Sequence, residues 1–272
     1  SRNGPLFAFT DSWPPLSDVK ITSVLEARSV FEIVSITFPI PSSMCSIKAT
    51  SLARAGSPPE TNENWAYWAK LAPYKADFSG LVKGITGEKG LAIREVALAG
   101  DWRAPRLALS QLDARLYDGS VSGSADLNIV TRLVKAAGRV DFSLHNVFEL
   151  LTPKVQRWLE QYQWSEAPVV TGTARVTLPE WANAEPDWRA EVRPPMTING
   201  QVTSGPMSFR GVEIESVRSN LVYSNLPLRL PNLVARRPEG EVRLALRSHT
   251  GTQDFQIDFR SSIDPHAVTP AL

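Results

Sequence analysis

The sequence predicts an all-β protein: an elongated, curled antiparallel sheet, trough-like or jelly-roll-like, built from a duplicated strand module with two short amphipathic helices. Three observations predict it. Apolar and polar residues alternate strictly in several stretches. A multi-strand passage occurs twice. The 21 prolines among 272 residues exceed the usual share of roughly 5% and are spread evenly, which suits short strands with turns and edges better than long helices.

The alternation is clearest in VSGSADLNI, where Val121, Gly123, Ala125, Leu127 and Ile129 share one face and Ser122, Ser124, Asp126 and Asn128 the other. EVRLALRS sets Val242, Leu244 and Leu246 against Glu241, Arg243 and Arg247. RVDFSLH offers Val140, Phe142 and Leu144, and FQIDF offers Phe255, Ile257 and Phe259. A period of two with one wet face is antiparallel-sheet behaviour.

The duplication is most legible in LALSQLDARLYDGSVS and LRLPNLVARRPEGEVR. Leu107 and Leu228, Leu112 and Leu233, Arg115 and Arg236, and Gly119 and Gly240 all stand 121 residues apart. Upstream, Gly80 and Val82 align with Gly200 and Val202 at an offset of 120, and Ile93 and Val96 with Ile214 and Val217 at 121. Downstream, Val140 and Phe142 align with Ile257 and Phe259 at 117. LSDVKITSV, residues 16–24, reads as a third, partial copy. A period this long is not that of the usual solenoids; it reads as a strand module that lengthens a sheet. The modules run over about 78–147 and 198–263 of one elongated β domain, residues 1–272, with a helical insert over about 146–164.

Two segments interrupt the strands. In TNENWAYWAKLAP, Trp65, Trp68, Ala69 and Ala72 follow helical spacing up to Pro73. In NVFELLTPKVQRWLEQYQW, Asn146 with Glu149 reads as a capping box and Pro153 as the first residue of a second helix, with Val155, Trp158, Leu159 and Tyr162 on its apolar stripe.

Charge excludes one class: 29 basic against 28 acidic residues leave no basic excess for nucleic acid. The single cysteine, Cys45, forms no internal disulfide. The richest apolar run, SVFEIVSITFPIP, carries Glu32 and is shorter than the roughly 18 residues a bilayer span needs. The opening SRNGPLFAF has no signal-peptide character and reads as a cut inside a longer chain.

Chemistry is sparse. His145, His249 and His266 are far apart and in no metal-ligand spacing. No nucleophile elbow, phosphate loop or dinucleotide fingerprint occurs, so no enzyme and no cofactor is expected. EWANAEPDWRAE places Glu180, Glu185, Asp187 and Glu191 beside Trp181 and Trp188, which leaves a carbohydrate-binding or glycosidase-type jelly roll as an alternative. A structural β-protein acting only through protein contacts is a second.

LDARLYDGSVSGSADLNI followed by GRVDFSLHNVFELL, with the lead-in LAPYKADFSGLVKGITGEKGLAIREVALAGDW, resembles the AsmA-like superfamily of bacterial envelope proteins. The likeness covers about 65–160 and, more weakly, 198–263; its motifs are degenerate, recording strand alternation and a turn. It implies a periplasmic β-trough, tethered to the inner membrane by an anchor absent from this chain. It further implies a role in outer-membrane biogenesis, with phospholipid or another acyl lipid as guest and other envelope proteins as partners. The chain is much shorter than the bridge-forming members of that family.

On that reading the groove is lined in the first module by Leu91, Ile93, Leu107, Leu109, Val121, Leu127, Ile129 and Phe142. In the second it is lined by Ile214, Leu228, Leu230, Val242, Leu244, Ile257 and Phe259. The same alternation would equally make a closed β-sandwich, in which this face is simply core.

Overall fold

The computed structural model describes residues 20–22, 35–37, 45–56, 60–61, 63–86, 92–151, 153–249, 252, 254–264 and 266. The strands are β1 (Lys20–Thr22), β2 (Ser35–Thr37), β3 (Cys45–Arg54), β4 (Tyr74–Thr86), β5 (Ala92–Arg103) and β6 (Arg106–Leu116). Then come β7 (Gly119–Asn128), β8 (Leu133–Val140), helix α1 (Pro153–Leu159), β9 (Tyr162–Trp164), β10 (Val169–Thr177) and β11 (Thr197–Ser204). The chain continues with β12 (Met207–Phe209), β13 (Val212–Ile214), β14 (Ser216–Ser224), β15 (Pro227–Arg237), β16 (Gly240–His249) and β17 (Phe255–Ser261).

Twelve of these make one curled, unclosed antiparallel sheet in the order β17-β16-β15-β14-β11-β10-β8-β7-β6-β5-β4-β3. A three-stranded sheet, β13-β12-β9, and the pair β1-β2 complete the described strands. A sandwich needs a second broad sheet facing the first, and none exists among the described residues.

The repeated passage is a hairpin with a bulge. β6 pairs with β7 through Leu109↔Ala125 and Leu112↔Gly123, and β15 with β16 through Leu230↔Leu246 and Leu233↔Leu244. In each copy two residues, Ser110–Gln111 or Pro231–Asn232, stand opposite one. Proline is tolerated at a bulge because the residue there drops out of the ladder. Ser110 Oγ donates to Ala99 O (3.2 Å), and Asn232 Oδ1 accepts from Asn220 N–H (2.8 Å), so each bulge is tied to the preceding strand at equivalent positions.

The second repeated feature is the exit from the module. Asp141 N–H donates to Ser120 O (3.0 Å) and Ser120 N–H to Asp141 Oδ1 (2.6 Å). In the second copy Ser262 N–H donates to Glu241 O (3.1 Å) and Glu241 N–H to Ser262 Oγ (3.0 Å). The chain there crosses Gly119 and Gly240: a Cβ at Gly119 would lie 2.4 Å from Asp141 O, and one at Gly240 would lie 2.6 Å from Ser262 Oγ. Only glycine leaves that crossing open.

These locks correct the expected alignment at both ends. Val121 pairs with Val140, and Val242 with Ser261, so Val140 corresponds to Ser261 at an offset of 121 and not to Ile257 at 117. Val82 pairs with Val96, whereas Val217 pairs with Ser204, so the first strand is offset by 122 instead of 120. Both slips are even numbers. Alternation is unchanged by an even shift, so the pattern alone cannot set the register; turns and locks do.

The helical segments differ from expectation in type. Glu63–Lys70 is two 3₁₀ turns broken at Ala66, whose φ is 48°, instead of one continuous helix. Its face is as expected: Trp65 and Ala72 are buried, Trp68 and Ala69 half-buried. Leu144–Leu150 is also 3₁₀, and its cap is Ser143, which accepts from His145 N–H, instead of Asn146. Asn146 Nδ2 is committed to Asp118 Oδ1 at 2.6 Å. Pro153 does open α1, and Val155 and Leu159 are buried. Tyr162 leaves the helical stripe and enters β9, where its ring meets Trp158 and Phe209. The expected alternation through Phe142 and Leu144 stops at Val140, since the chain turns out at Asp141. Of the upstream echo, only Lys20–Thr22 falls within the described residues.

Candidate functional site: an open apolar trough

Direct cross-strand partners share a face, so the register traces each side of the sheet. One row runs through Trp102, Leu107, Leu127 and Val134. A second runs from Phe78 through Gly100, Leu109, Ala125, Ala136 and Ala174. It continues through Ile198, Tyr223 and Leu228 to Ser248 and Phe255. A third includes Val96, Ala114, Val121, Val140, Val170 and Val202. The same face of β15–β17 carries Leu230, Leu246 and Ile257, then Leu233, Leu244 and Phe259, then Ala235, Val242 and Ser261. From β4 to β17 this side is almost wholly apolar.

The other side is charged. Lys83 pairs with Glu95 (3.6 Å) and Asp77 with Arg103 (2.5 Å), and Arg106 meets Asp126. The alternation seen in the sequence is thus an apolar inner face and a wet outer face.

Curvature comes from an arrangement the pattern did not announce. Gly123, Gly138, Gly172 and Gly200 stand side by side on four neighbouring strands, on the apolar face. A Cβ at Gly123 would sit 2.4 Å from Ala137 O, and one at Gly172 2.5 Å from Asn199 O. Approaches this close mark a line along which the sheet bends toward that face, as glycines do at barrel corners. Alanines at 125, 136 and 174 extend the thin floor beside it.

One end of the trough is capped. Trp65, Ala72, Trp102 and Ile129 form a buried cluster, with Trp68, Leu107, Leu127 and Trp181 packed on it. Trp68 stacks on Trp102 at 5.7 Å and meets Trp181 edge-on at 5.7 Å. Trp102 Nε1 donates to Leu71 O (2.8 Å) and Trp181 Nε1 to Ile129 O (2.9 Å). The polar ends of the indoles are therefore satisfied inside the cap.

Between the cap and the far end the lining is open on either side of β14, where Tyr223 is buried and its hydroxyl donates to Arg193 O (3.3 Å). Leu109, Val121, Leu228, Leu230, Val242 and Leu244 are half-buried, with no second layer over them among the described residues. Ile257 and Phe259, on the edge strand, are 48% and 71% exposed. Ile93 lies at the rim, opposite Leu116. Leu107 and Leu127 face the trough but lie packed beneath the cap, and three expected lining residues sit elsewhere. Ile129 is 1% exposed inside the cap, because β7 ends at Asn128 and the chain turns under Trp181. Ile214 belongs to the small sheet on β13. Phe142 follows the end of β8, against Gly119. Leu91 lies outside the described residues. Sequence reasoning missed Phe78, Ala136, Ala174, Val202 and Leu246 as lining; the first module's β10 neighbour and the full row become visible only through pairing.

In the acidic loop three of the four carboxylates have partners, one of them outside the loop. Glu180 pairs with Arg132 (3.4 Å), Glu191 Oε1 accepts from Asp187 N–H (3.1 Å), and Asp187 Oδ1 accepts from Ala190 N–H (3.0 Å). Trp181 is turned into the cap, while Trp188 is half-exposed. Among the described residues no three of His, Cys, Asp and Glu converge to hold a metal.

Two polar clefts lie off the trough floor. One, of about 360 Å³, is bounded by Arg94, Arg115, Tyr117, Ser120 and Asp141. Burial tends to raise the Asp141 carboxyl, but the Ser120 hydroxyl and N–H and the Arg139 guanidinium outweigh it and hold it below its ordinary value of 3.8. A carboxylate so lowered stabilises the fold above its unfolded value, and that contribution is lost as pH falls through 3.8 toward the folded value. Asp141→Asn is therefore expected to narrow its stability gap to the parent between pH 5 and 3, on the order of those limits, in thermal melts. A gap that stays constant over that range would refute the lock. The other cleft, of about 290 Å³, is bounded by Gln201, Arg218, Asn220 and Asn232. Neither is apolar.

No helix among the described residues is long and apolar enough to cross a membrane. Comparison with known proteins finds no matching family model, no similar curated protein and no similar solved structure.

Proposed function

We propose that the trough holds the acyl chains of a lipid, with the chain serving as a periplasmic section of an AsmA-like protein in outer-membrane biogenesis. One observation carries the reading: an apolar face runs across the large sheet from β4 to β17, closed over at the tryptophan cap and at Tyr223 on β14, and elsewhere half-buried to exposed among the described residues. At about 4.8 Å per strand it extends roughly 50 Å along the curl, far beyond what a small-molecule pocket requires. An apolar face of this size left to water is a binding surface or a liability. Each methylene seated on it contributes about 0.8 kcal/mol, and along a floor of alanine, valine and leucine side chains a chain can slide. The lipid headgroup stays at the wet rim. The chain supplies no catalytic group to this reading; it binds and guides.

Neighbouring residues on opposite faces supply the test. Ala136 faces the trough and is half-buried, whereas Ala137 faces outward and is exposed. Displacement of a fluorescent fatty acid from the purified chain, with native mass spectrometry of extracted lipid, is measured for Ala136→Glu and Ala137→Glu. A carboxylate on the floor is expected to weaken acyl binding about tenfold or more, and the outward one to leave it unchanged. No bound lipid, or equal effects of the two substitutions, would overturn the proposal.

A further inference from the structure

We infer that the free edge of β17 is a docking site for an extended polypeptide strand, added antiparallel and carrying apolar or small residues at alternate positions. The inference rests on four observations. Among the described residues β17 pairs only with β16 and terminates the twelve-stranded ladder. Its backbone is unevenly used: His249 N–H donates to Asp254 O and Ser262 N–H to Glu241 O, which fixes the alternation of the antiparallel ladder. By that alternation Gln256, Asp258 and Arg260 turn their N–H and C=O toward β16, and Phe255, Ile257, Phe259 and Ser261 turn theirs outward. These outward residues are also the ones whose side chains continue the trough face, and Phe255 and Phe259 are 72% and 71% exposed.

The fourth observation identifies the occupant. β17 stands where β8 stands in the first module: Val134, Ala136, Gly138 and Val140 correspond to Phe255, Ile257, Phe259 and Ser261 through their shared partners on β7 and β16. Both strands leave through the same lock, Asp141 on Ser120 and Ser262 on Glu241. In the first module those outward groups are taken by β10, VVTGTARVT, through Val140↔Val170, Gly138↔Gly172 and Ala136↔Ala174. An exposed edge carrying large apolar side chains and none of the usual blocking devices on its outward set (a lysine, a proline, a bulge) is a template for one more strand.

The probe is a labelled peptide with the β10 sequence VVTGTARVT, with a scrambled peptide of the same composition as control. Binding is read by anisotropy and by residue-resolved amide exchange. Exchange at Phe255, Ile257, Phe259 and Ser261 is expected to slow by about tenfold or more on saturation, the scale of one hydrogen bond gained, while Gln256, Asp258 and Arg260 do not change. Ile257→Pro removes an outward donor without touching the β16 ladder and is expected to weaken binding about tenfold. If the proline loosens β17, seen as faster exchange at Gln256, Asp258 and Arg260, Ile257→Lys carries the test: it keeps every backbone donor and must still weaken binding through the lost apolar face. Equal binding of the scrambled peptide, no slowing at the four outward amides, or their coverage by self-association without peptide would each overturn the inference.

Discussion

Replacing Trp102 by alanine is expected to remove about 3–5 kcal/mol of stability, enough to consume much of what a domain typically has. The indole is 5% exposed, stacks on Trp68, and satisfies its one donor on Leu71 O. Truncation leaves a cavity under the segment 63–73, removes one of the two hydrogen bonds that Leu71 O accepts (Tyr74 N–H gives the other), and removes the platform on which Trp68 and Trp181 meet. Trp102→Phe separates the contributions, since it keeps most of the ring area and loses the hydrogen bond, for about 1–2 kcal/mol. Urea unfolding of the two variants measures this; a loss below about 1 kcal/mol for the alanine variant would mean that the tryptophan cap does not hold the end of the trough.

Gly172→Val is expected to cost about 3 kcal/mol or more, at the upper end for overpacking, because the obstruction is backbone. Its first added atom would fall 2.5 Å from Asn199 O and 2.9 Å from Gly200 Cα, so β10 and β11 must separate. The bend toward the apolar face opens with them, and the acyl binding proposed above is expected to fall in the same variant. Thr173→Val, one residue along and on the exposed outer face, is the control, with an expected change within about 0.5 kcal/mol. Equal urea midpoints for the two variants would show that the glycine line does not set the curl.

The contrast between neighbouring residues runs through the whole molecule. At 136 and 137, and at 172 and 173, one step along a strand exchanges lining for solvent, because successive side chains in a strand point to opposite faces. That is why the inner set was readable: Leu109, Val121, Leu228, Leu230, Val242, Leu244, Ile257 and Phe259 fall on the apolar face because each lies in a run of alternation. Residues chosen by extending a run past its end went astray, as Ile129 and Phe142 did where the chain turns out of the sheet.

Local chemistry was equally legible where one residue decides it. Pro153 opens α1, and the repeated Gly119 and Gly240 mark the hairpin turns. The doubled Ser–Gln and Pro–Asn, conspicuous only as part of a repeat, turned out to be the bulge. The helices were harder: a segment of eight residues gains too few helical hydrogen bonds for spacing to dictate its type, and packing of Trp65 and Trp68 against the sheet broke it at Ala66 instead.

From the amino-acid order alone came the β class, the two-faced strands, the duplication and the position of the turns, since each depends on residues within a few steps of one another. Which strand lies beside which, the register between the two copies, the line of four glycines and the open inner face emerged only on folding. A period of two carries no memory of where it began, and a glycine shows its purpose only when three others from distant strands are set against it.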